Sequence, residues 1–164
     1  RADVKHSNLI WILALVPTLA LLQGATLAAG AGAEHTMVKA SDTKWGDPPP
    51  FLPKGAQFAV LSGDPGQAGP FAIRIKMPAG YRIGPHWHPT DEQVTIMEGD
   101  FHLSMGDKAS AHDADFAMGD YVNLPAKMQH EATTKGGAVV QVNGTGPFSI
   151  TYVDAKDDPR KAMK

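Results

Sequence analysis

The sequence predicts an all-β fold, either a sandwich or a barrel, and three observations lead to this prediction. Short runs of β-forming residues follow one another, separated by turn-forming clusters such as SGDPGQAGP, EGD and GTGP. The 164 residues include 17 glycines and 13 prolines, enough for many turns but too few for a disordered Pro/Gly-rich chain. Beyond residue 34, no long segment shows the 3.6-residue apolar period of an amphipathic helix.

Nine segments are predicted to form β-strands, and the second shows the pattern most clearly. There, Ile73, Ile75 and Met77 alternate with Arg74 and Lys76, so one face of the strand is apolar. Only residues 109–116 and the tail from Asp154 are compatible with a helical turn. The predicted strands cover residues 57–61, 71–77, 82–88, 93–97, 101–105, 121–124, 128–134, 138–143 and 148–153.

The first 33 residues have the pattern of a secretory signal rather than of a folded domain. Basic residues precede a 14-residue apolar run, LIWILALVPTLALL, and small residues ending in Ala33 follow it. The run is short for a membrane span of about 20 residues and contains Pro17. Cleavage is expected after Ala33, with Ala28 as a second candidate, and the alternative is an uncleaved N-terminal anchor.

The rest of the chain is predicted to form one domain. Residues 34–56 form a Pro-rich arm, residues 57–153 the β-barrel, and residues 154–164 a C-terminal tail. The chain has no cysteine, and an exported protein without cysteine suits a bacterial periplasm. The protein is expected to contact the membrane only if the N-terminal signal is not cleaved.

Composition excludes several classes of function. Lysine and arginine number 15 and acidic residues 17, for a net charge of −2, so there is no basic field to bind nucleic acid. Without cysteine there is no thiolate nucleophile and no Cys-built zinc or iron–sulfur site. A bound metal would therefore need histidine or carboxylate ligands, and the chain has seven histidines.

The segment PHWHPTDE contains residues suited to metal binding. Residues two apart on a strand face the same side, so His86 and His88 should point together, with Trp87 pointing away. A turn follows, and the returning strand brings Glu92 to the same side. Two imidazoles and a carboxylate form the facial arrangement known from non-haem iron sites. His130, after a Pro turn and at the start of another strand, can supply a fourth ligand.

These residues resemble the first motif of the cupin superfamily, G(x)5HxH(x)3–4E(x)6G. Gly80, His86, His88, Glu92 and Gly99 occupy all of its fixed positions. With the flanking strands, the resemblance covers residues 57–153.

A second block resembles the second cupin motif, G(x)5PxG(x)2H(x)3N. Gly119, Pro125 and His130 match it, whereas Lys127 replaces the glycine of its turn and Thr134 replaces the asparagine. Lysine disfavours a positive φ, which a tight turn at this position would need.

The resemblance implies a conical jelly-roll β-barrel with one divalent transition metal bound by four residues. Manganese, iron, zinc, nickel and copper all remain open, because such donors do not identify the metal. The four implied ligands are His86, His88, Glu92 and His130.

Two classes of function are compatible with such a site. The first is a metal-dependent enzyme of dioxygenase, lyase or isomerase type that acts on a small organic molecule, with Glu92 as candidate catalytic residue if it leaves the metal. The second is a non-catalytic module that binds or senses a metal or small ligand. The segments PHWHPTDEQVTIMEG and NGTGPFSITYVDAKDDPRK resemble small exported bacterial cupins. The first segment also resembles the cupin part of zinc-binding anti-sigma factors, and this likeness suggests the second class.

Strand parity predicts which side chains face the interior. Val94 and Ile96 share the parity of Glu92 and should line an apolar pocket, and Gln141 is a further candidate for its lining. Three residues of opposite parity should face outward: Trp87, Thr95 and Met97. Because small cupins often pair through their outer strand faces, a homodimer is expected.

Other polar residues are expected to lie outside the site. Asp91 is interpreted as a turn residue rather than a base, because its parity is opposite to that of Glu92. The remaining histidines have no partner at metal-ligand spacing: His6, His35, His102 and His112.

We expect the mature protein to begin near Glu34 and to be exported. N-terminal sequencing of the protein recovered from the outer compartment checks this. An intact hydrophobic segment on that material would instead support the uncleaved anchor.

Overall fold

The computed structural model of the chain describes residues 35–107 and 112–161, so the predicted signal at residues 1–33 lies outside the described part. Among the described residues, no helix is long and apolar enough to cross a membrane. A short 3-10 helix at Ala40–Asp42 precedes nine strands. The strands are β1 (Gln57–Ser62), β2 (Gly69–Met77), β3 (Arg82–Trp87), β4 (Glu92–Met105), β5 (His112–Ala117), β6 (Tyr121–Leu124), β7 (His130–Thr133), β8 (Ala138–Gly146) and β9 (Thr151–Tyr152).

The strands form a curled antiparallel sheet, which confirms the all-β prediction. Its order is β1-β2-β8-β4-β7-β3-β9, with β5 and β6 also paired to β4. Residues 92–99 of β4 pair with β8, and those from Asp100 to Met105 pair with β5. The long β4 thus joins the two halves of the sheet.

The prediction of two separate strands at 93–97 and 101–105 is wrong, because β4 runs through the expected turn. The chain bends there at Gly99, which has a φ of 79°. A Cβ atom at this position would lie 1.9 Å from the carbonyl oxygen of Gly137. Glycine is therefore required here for the close approach of a neighbouring backbone.

The interior is apolar and is lined by alternate residues of the strands. Val94 and Ile96 are buried, as predicted from their parity with Glu92. The prediction for Gln141 is wrong: it lies between buried Val140 and Val142 and points to the other face of the sheet. There its amide oxygen accepts a hydrogen bond from Arg74 Nε at 3.2 Å.

The expected helical turn at 109–116 is also wrong for the residues that the structure describes. His112–Ala117 forms β5, which pairs along β4 from Met105 to Asp100. The segment HDADFA has little helical or strand character of its own, and the partner strand determines its conformation.

The Pro-rich arm packs against the sheet. Leu52 and Ala56 of the arm are buried in the hydrophobic core. The hydroxyls of Tyr81 and Tyr152 donate hydrogen bonds to the carbonyls of Pro53 and Phe51, respectively. Two hydrogen bonds, to carbonyls two residues apart, thereby hold the arm in place.

Lys127 adopts the positive φ that its motif position normally assigns to glycine. Its φ is 65°, and its N–H donates to the carbonyl of His88 at 2.8 Å. Met128 N–H donates to the Pro125 carbonyl at 3.0 Å, closing the turn. The turn therefore forms despite the lysine, and it connects the two motif segments.

Replacing Lys127 with Gly should stabilise the protein by about 0.5–1 kcal/mol, because relief of the left-handed strain exceeds the entropy cost of glycine. Urea unfolding of the metal-free protein measures this change. Lys127→Ala is the matched control and should show no gain, since alanine keeps the Cβ atom. A glycine variant less stable than the parent would show that the lysine is not strained.

Candidate metal centre

Four buried polar side chains meet inside the curled sheet. His86 lies near the end of β3 and pairs across the sheet with His130 at the start of β7. His88 follows β3 directly, and Glu92 begins β4 after the turn. All four are at most 9% exposed. The structure thus brings together the residues singled out as metal ligands: His86, His88, Glu92 and His130.

Backbone carbonyls orient the three imidazole rings. The Nδ1 atom of His86 lies 2.7 Å from the Gly84 carbonyl oxygen, and that of His88 lies 2.8 Å from the Ser149 carbonyl oxygen. The Nδ1 atom of His130 lies 3.0 Å from the carbonyl oxygen of Met128. A carbonyl only accepts, so each Nδ1 carries the proton and each neutral ring keeps its lone pair on Nε2.

The imidazole nitrogens converge on a common point. The three histidines each offer a ligand atom within 4.8 Å of the others. Glu92 Oε2 lies 3.1 Å from His130 Nε2 and 3.5 Å from His88 Nε2. The His88 Nε2 atom is buried without a hydrogen-bond partner among the described residues. A buried lone pair aimed at a carboxylate and two other imidazoles fits a metal ion.

The electrostatic environment keeps two of the imidazoles neutral. Burial is the main cause that lowers the pKa of His86, to about 3, and the neighbouring His130 and His88 add to it. Burial also lowers the pKa of His88, against the opposing effect of Glu92. Neutral imidazoles are the form that binds metals.

The carboxyl group of Glu92 keeps its negative charge. Burial acts to raise its pKa, but the 3.1 Å contact with His130 Nε2 and the electrostatic effect of the three surrounding imidazoles lower the pKa to about 2. The four residues together offer three nitrogen donors and one anionic oxygen. This donor set suits a divalent transition metal but does not select among manganese, iron, zinc, nickel and copper.

A cavity of about 150 Å³ lies beside the four residues. His86, His88 and Glu92 line one side, and Phe51 and Leu52 of the arm also line it. A smaller space of about 30 Å³, lined by residues that include His86, Glu92 and His130, extends into the core. Of the residues predicted to line a pocket, Val94 lines the smaller space, whereas Ile96 and Gln141 line neither of the two.

The other polar residues lie where the sequence placed them, away from this centre. His35 and His112 are exposed, and His102 Nδ1 contacts an oxygen of Asp115 at 2.8 Å. Asp91 is exposed and accepts a hydrogen bond from the Ala126 N–H at 2.8 Å. Asp91 thus connects two turns, in agreement with its interpretation as a turn residue.

Sequence reasoning missed the residues that support the centre. The ring of Phe148 stacks on His88, with centroids 4.2 Å apart and planes 15° apart. The Ser149 carbonyl next to it orients the same histidine. Phe51 and Leu52, which line the cavity, were also not predicted. Nothing in the sequence signals a contact between residues about 100 positions apart, such as that between Tyr152 and Phe51.

The metal-free protein should lose stability as the pH falls below about 6.5. In the unfolded chain the imidazole of His86 becomes protonated there, whereas the folded chain keeps it neutral down to about pH 3. Between pH 6.5 and pH 5 this single group should remove about 2 kcal/mol from the free energy of unfolding. Urea unfolding in the presence of a chelator measures the slope.

His112→Gln is the control for this slope, because His112 is exposed and its loss should leave the pH dependence unchanged. His86→Gln should flatten the slope. A free energy of unfolding that is constant from pH 7 to pH 5 would contradict the buried neutral state of His86.

Comparison with known proteins agrees with this fold. The sequence model of the ChrR Cupin-like domain matches residues 33–149, which include all four candidate ligands. No curated protein matches the sequence.

Three solved structures show the same fold. The polyketide cyclase RemF from Streptomyces resistomycificus is 17% identical with a TM-score of 0.63, over 79% of this chain and 93% of that one. An RmlC-like cupin from Shewanella frigidimarina is 18% identical with a TM-score of 0.55, over 69% and 91%. KdgF from a Halomonas species is 17% identical with a TM-score of 0.54, over 69% and 96%. The resemblance to cupins is thus confirmed, and the chain belongs to the ChrR cupin-like domain family.

Proposed function

We propose that the protein binds one divalent transition metal through His86, His88, His130 and Glu92 and uses it to act on a small organic molecule. The observation that carries this proposal is that three buried, carbonyl-oriented imidazoles offer ligand atoms within 4.8 Å of one another, and two of them contact the Glu92 carboxylate. A bound divalent metal supplies Lewis acidity at a coordinated oxygen. The adjacent cavity of about 150 Å³ gives an organic ligand room beside those residues.

Within this proposal the reaction is of dioxygenase, lyase or isomerase type. The chain binds the substrate in the cavity, and the apolar lining excludes water from the reacting group. Glu92 is the candidate catalytic residue, because its carboxylate is ionised and lies at the edge of the cavity. When it is not bound to the metal, it can accept a proton from the substrate.

A non-catalytic binding module is the second candidate, and the number of ligands favours it. Four protein ligands can complete the tetrahedral shell of zinc, as in structural sites, whereas catalytic sites keep an open position. Tightly bound zinc without an exchangeable water would support this candidate. Bound iron, with oxygen uptake on addition of an enol or diketone, would support the oxygenase.

Replacing His88 with Ala should weaken metal binding by more than about 100-fold, since losing even an outer partner of a ligand costs about 10–100-fold. Metal content measured by mass spectrometry should fall from one ion per chain in the parent to a small fraction in the variant. The His102→Ala and His112→Ala controls should retain the metal, because neither histidine belongs to the group of three imidazoles with ligand atoms close together. Equal occupancy in the His88 and His112 variants would place the metal elsewhere.

A further inference from the structure

The Pro-rich arm forms one wall of the cavity beside the candidate metal centre. Phe51 and Leu52 line this cavity together with His86 and His88. Other lining residues are also apolar, and they include Phe58, Ile73, Phe148 and Ile150. The chemistry of the cavity is thus divided, with the polar groups at the candidate metal ligands and apolar surface elsewhere.

Two buried tyrosines hold this wall in place. Tyr152 Oη donates to the Phe51 carbonyl at 2.8 Å, and Tyr81 Oη donates to the Pro53 carbonyl. Burial raises the pKa of Tyr152 to about 12 and also raises that of Tyr81. Both hydroxyls therefore remain protonated donors, and the Leu52 N–H closes a turn on the Pro49 carbonyl at 2.9 Å.

The charge of the cavity restricts what can occupy it. Among the described residues that line it, Glu92 is the ionised side chain and no lysine or arginine is present. A ligand with a charged group away from the metal would bury that group without a counter-charge, which is unfavourable. The body of the ligand should therefore be uncharged.

The volume of the cavity restricts the size of the ligand. Its volume of about 150 Å³ is similar to that of an engineered apolar cavity of about 150 Å³ that binds benzene. The body of a ligand that fills it is therefore about as large as one aromatic ring.

From these features we infer that the arm is part of the ligand site and that Phe51 limits the size of the ligand. This inference depends on the proposed metal function, since the ligand binds the metal through oxygen donors at one end. Its other end is an uncharged apolar body of about one ring, packed against Phe51 and Phe148. Tyr152 is a positioning residue, which acts through the carbonyl of Phe51.

The test uses the full chain loaded with Co²⁺, whose visible absorption reports ligands that enter the metal shell. Three hydroxamates with the same chelating head and different bodies are titrated: acetohydroxamate, benzohydroxamate and 2-naphthohydroxamate. A fourth compound, 4-carboxybenzohydroxamate, has the same chelating head and ring and carries a charge at the far end of the ring. Burial of the ring should make benzohydroxamate bind about tenfold or more tightly than acetohydroxamate. The naphthyl compound and 4-carboxybenzohydroxamate should bind more weakly than benzohydroxamate.

Phe51→Ala should remove the size limit, so that 2-naphthohydroxamate gains at least about tenfold in affinity and acetohydroxamate is unchanged. Tyr152→Phe keeps the ring and loses the hydrogen bond to the Phe51 carbonyl. It should raise the affinity for 2-naphthohydroxamate relative to acetohydroxamate, by a smaller factor than Phe51→Ala does. Met37→Ala is the matched control on the arm, because Met37 is 77% exposed. Its relative affinities for the three hydroxamates should equal those of the parent.

The outcomes separate this inference from the proposed function. If Co²⁺ binds and the three hydroxamates bind equally, or if Phe51→Ala leaves the preference unchanged, the inference is wrong and the metal site stands. If Co²⁺ does not bind to the parent, both fail. If far-ultraviolet circular dichroism shows that Phe51→Ala does not fold, the relative affinities of the Tyr152→Phe variant for the three hydroxamates test the inference instead. Affinities in the same ratio as in the parent would overturn it.

Discussion

The hydrogen bonds between three histidine Nδ1 atoms and three backbone carbonyls are the interaction on which the candidate metal centre depends. Gly84, Ser149 and Met128 supply these carbonyls, each from a different part of the chain. Because each carbonyl holds the proton on Nδ1, the Nε2 atom of each neutral ring can bind a metal, and the three histidines offer ligand atoms within 4.8 Å of one another. A buried site built in this way needs no reorganisation of the imidazoles before it binds a metal.

The curled sheet provides the positions from which these carbonyls act. His86 and His130 are opposite each other on β3 and β7, and the two rings lie 4.1 Å apart. The turn at Lys127 is connected to the carbonyl of His88 through its own N–H. The segments of both motifs are therefore hydrogen-bonded to each other, and strain at Lys127 is offset by this connection and by the closed turn.

The predictions from sequence succeeded where short-range patterns determine the structure. Alternation within the strand after Glu92 placed Val94 and Ile96 in the interior, and the spacing of His86, His88 and Glu92 placed them together. These relations span only a few residues, and side chains along a strand alternate between its two faces. The sequence spacing alone therefore predicts which residues share a face.

The predictions failed where a partner distant in sequence decides the structure. His112–Ala117 forms a strand because β4 pairs with it, although its sequence HDADFA contains few β-forming residues. Gln141 faces outward, where its amide oxygen accepts a hydrogen bond from Arg74, 67 residues earlier in the chain. The contribution of Phe51 and the arm to the cavity depends on a hydrogen bond to Tyr152, 101 residues further along the chain, and no local pattern encodes it.

A crystal structure of the protein grown with its metal, with an anomalous difference map at the absorption edge of that metal, tests the account most directly. We expect one peak per chain, at about 2.0–2.2 Å from the Nε2 atoms of His86, His88 and His130 and from a carboxylate oxygen of Glu92. The Nδ1 atoms should keep their hydrogen bonds to the three carbonyls. A peak bound through Nδ1, or located away from these residues, would contradict the account.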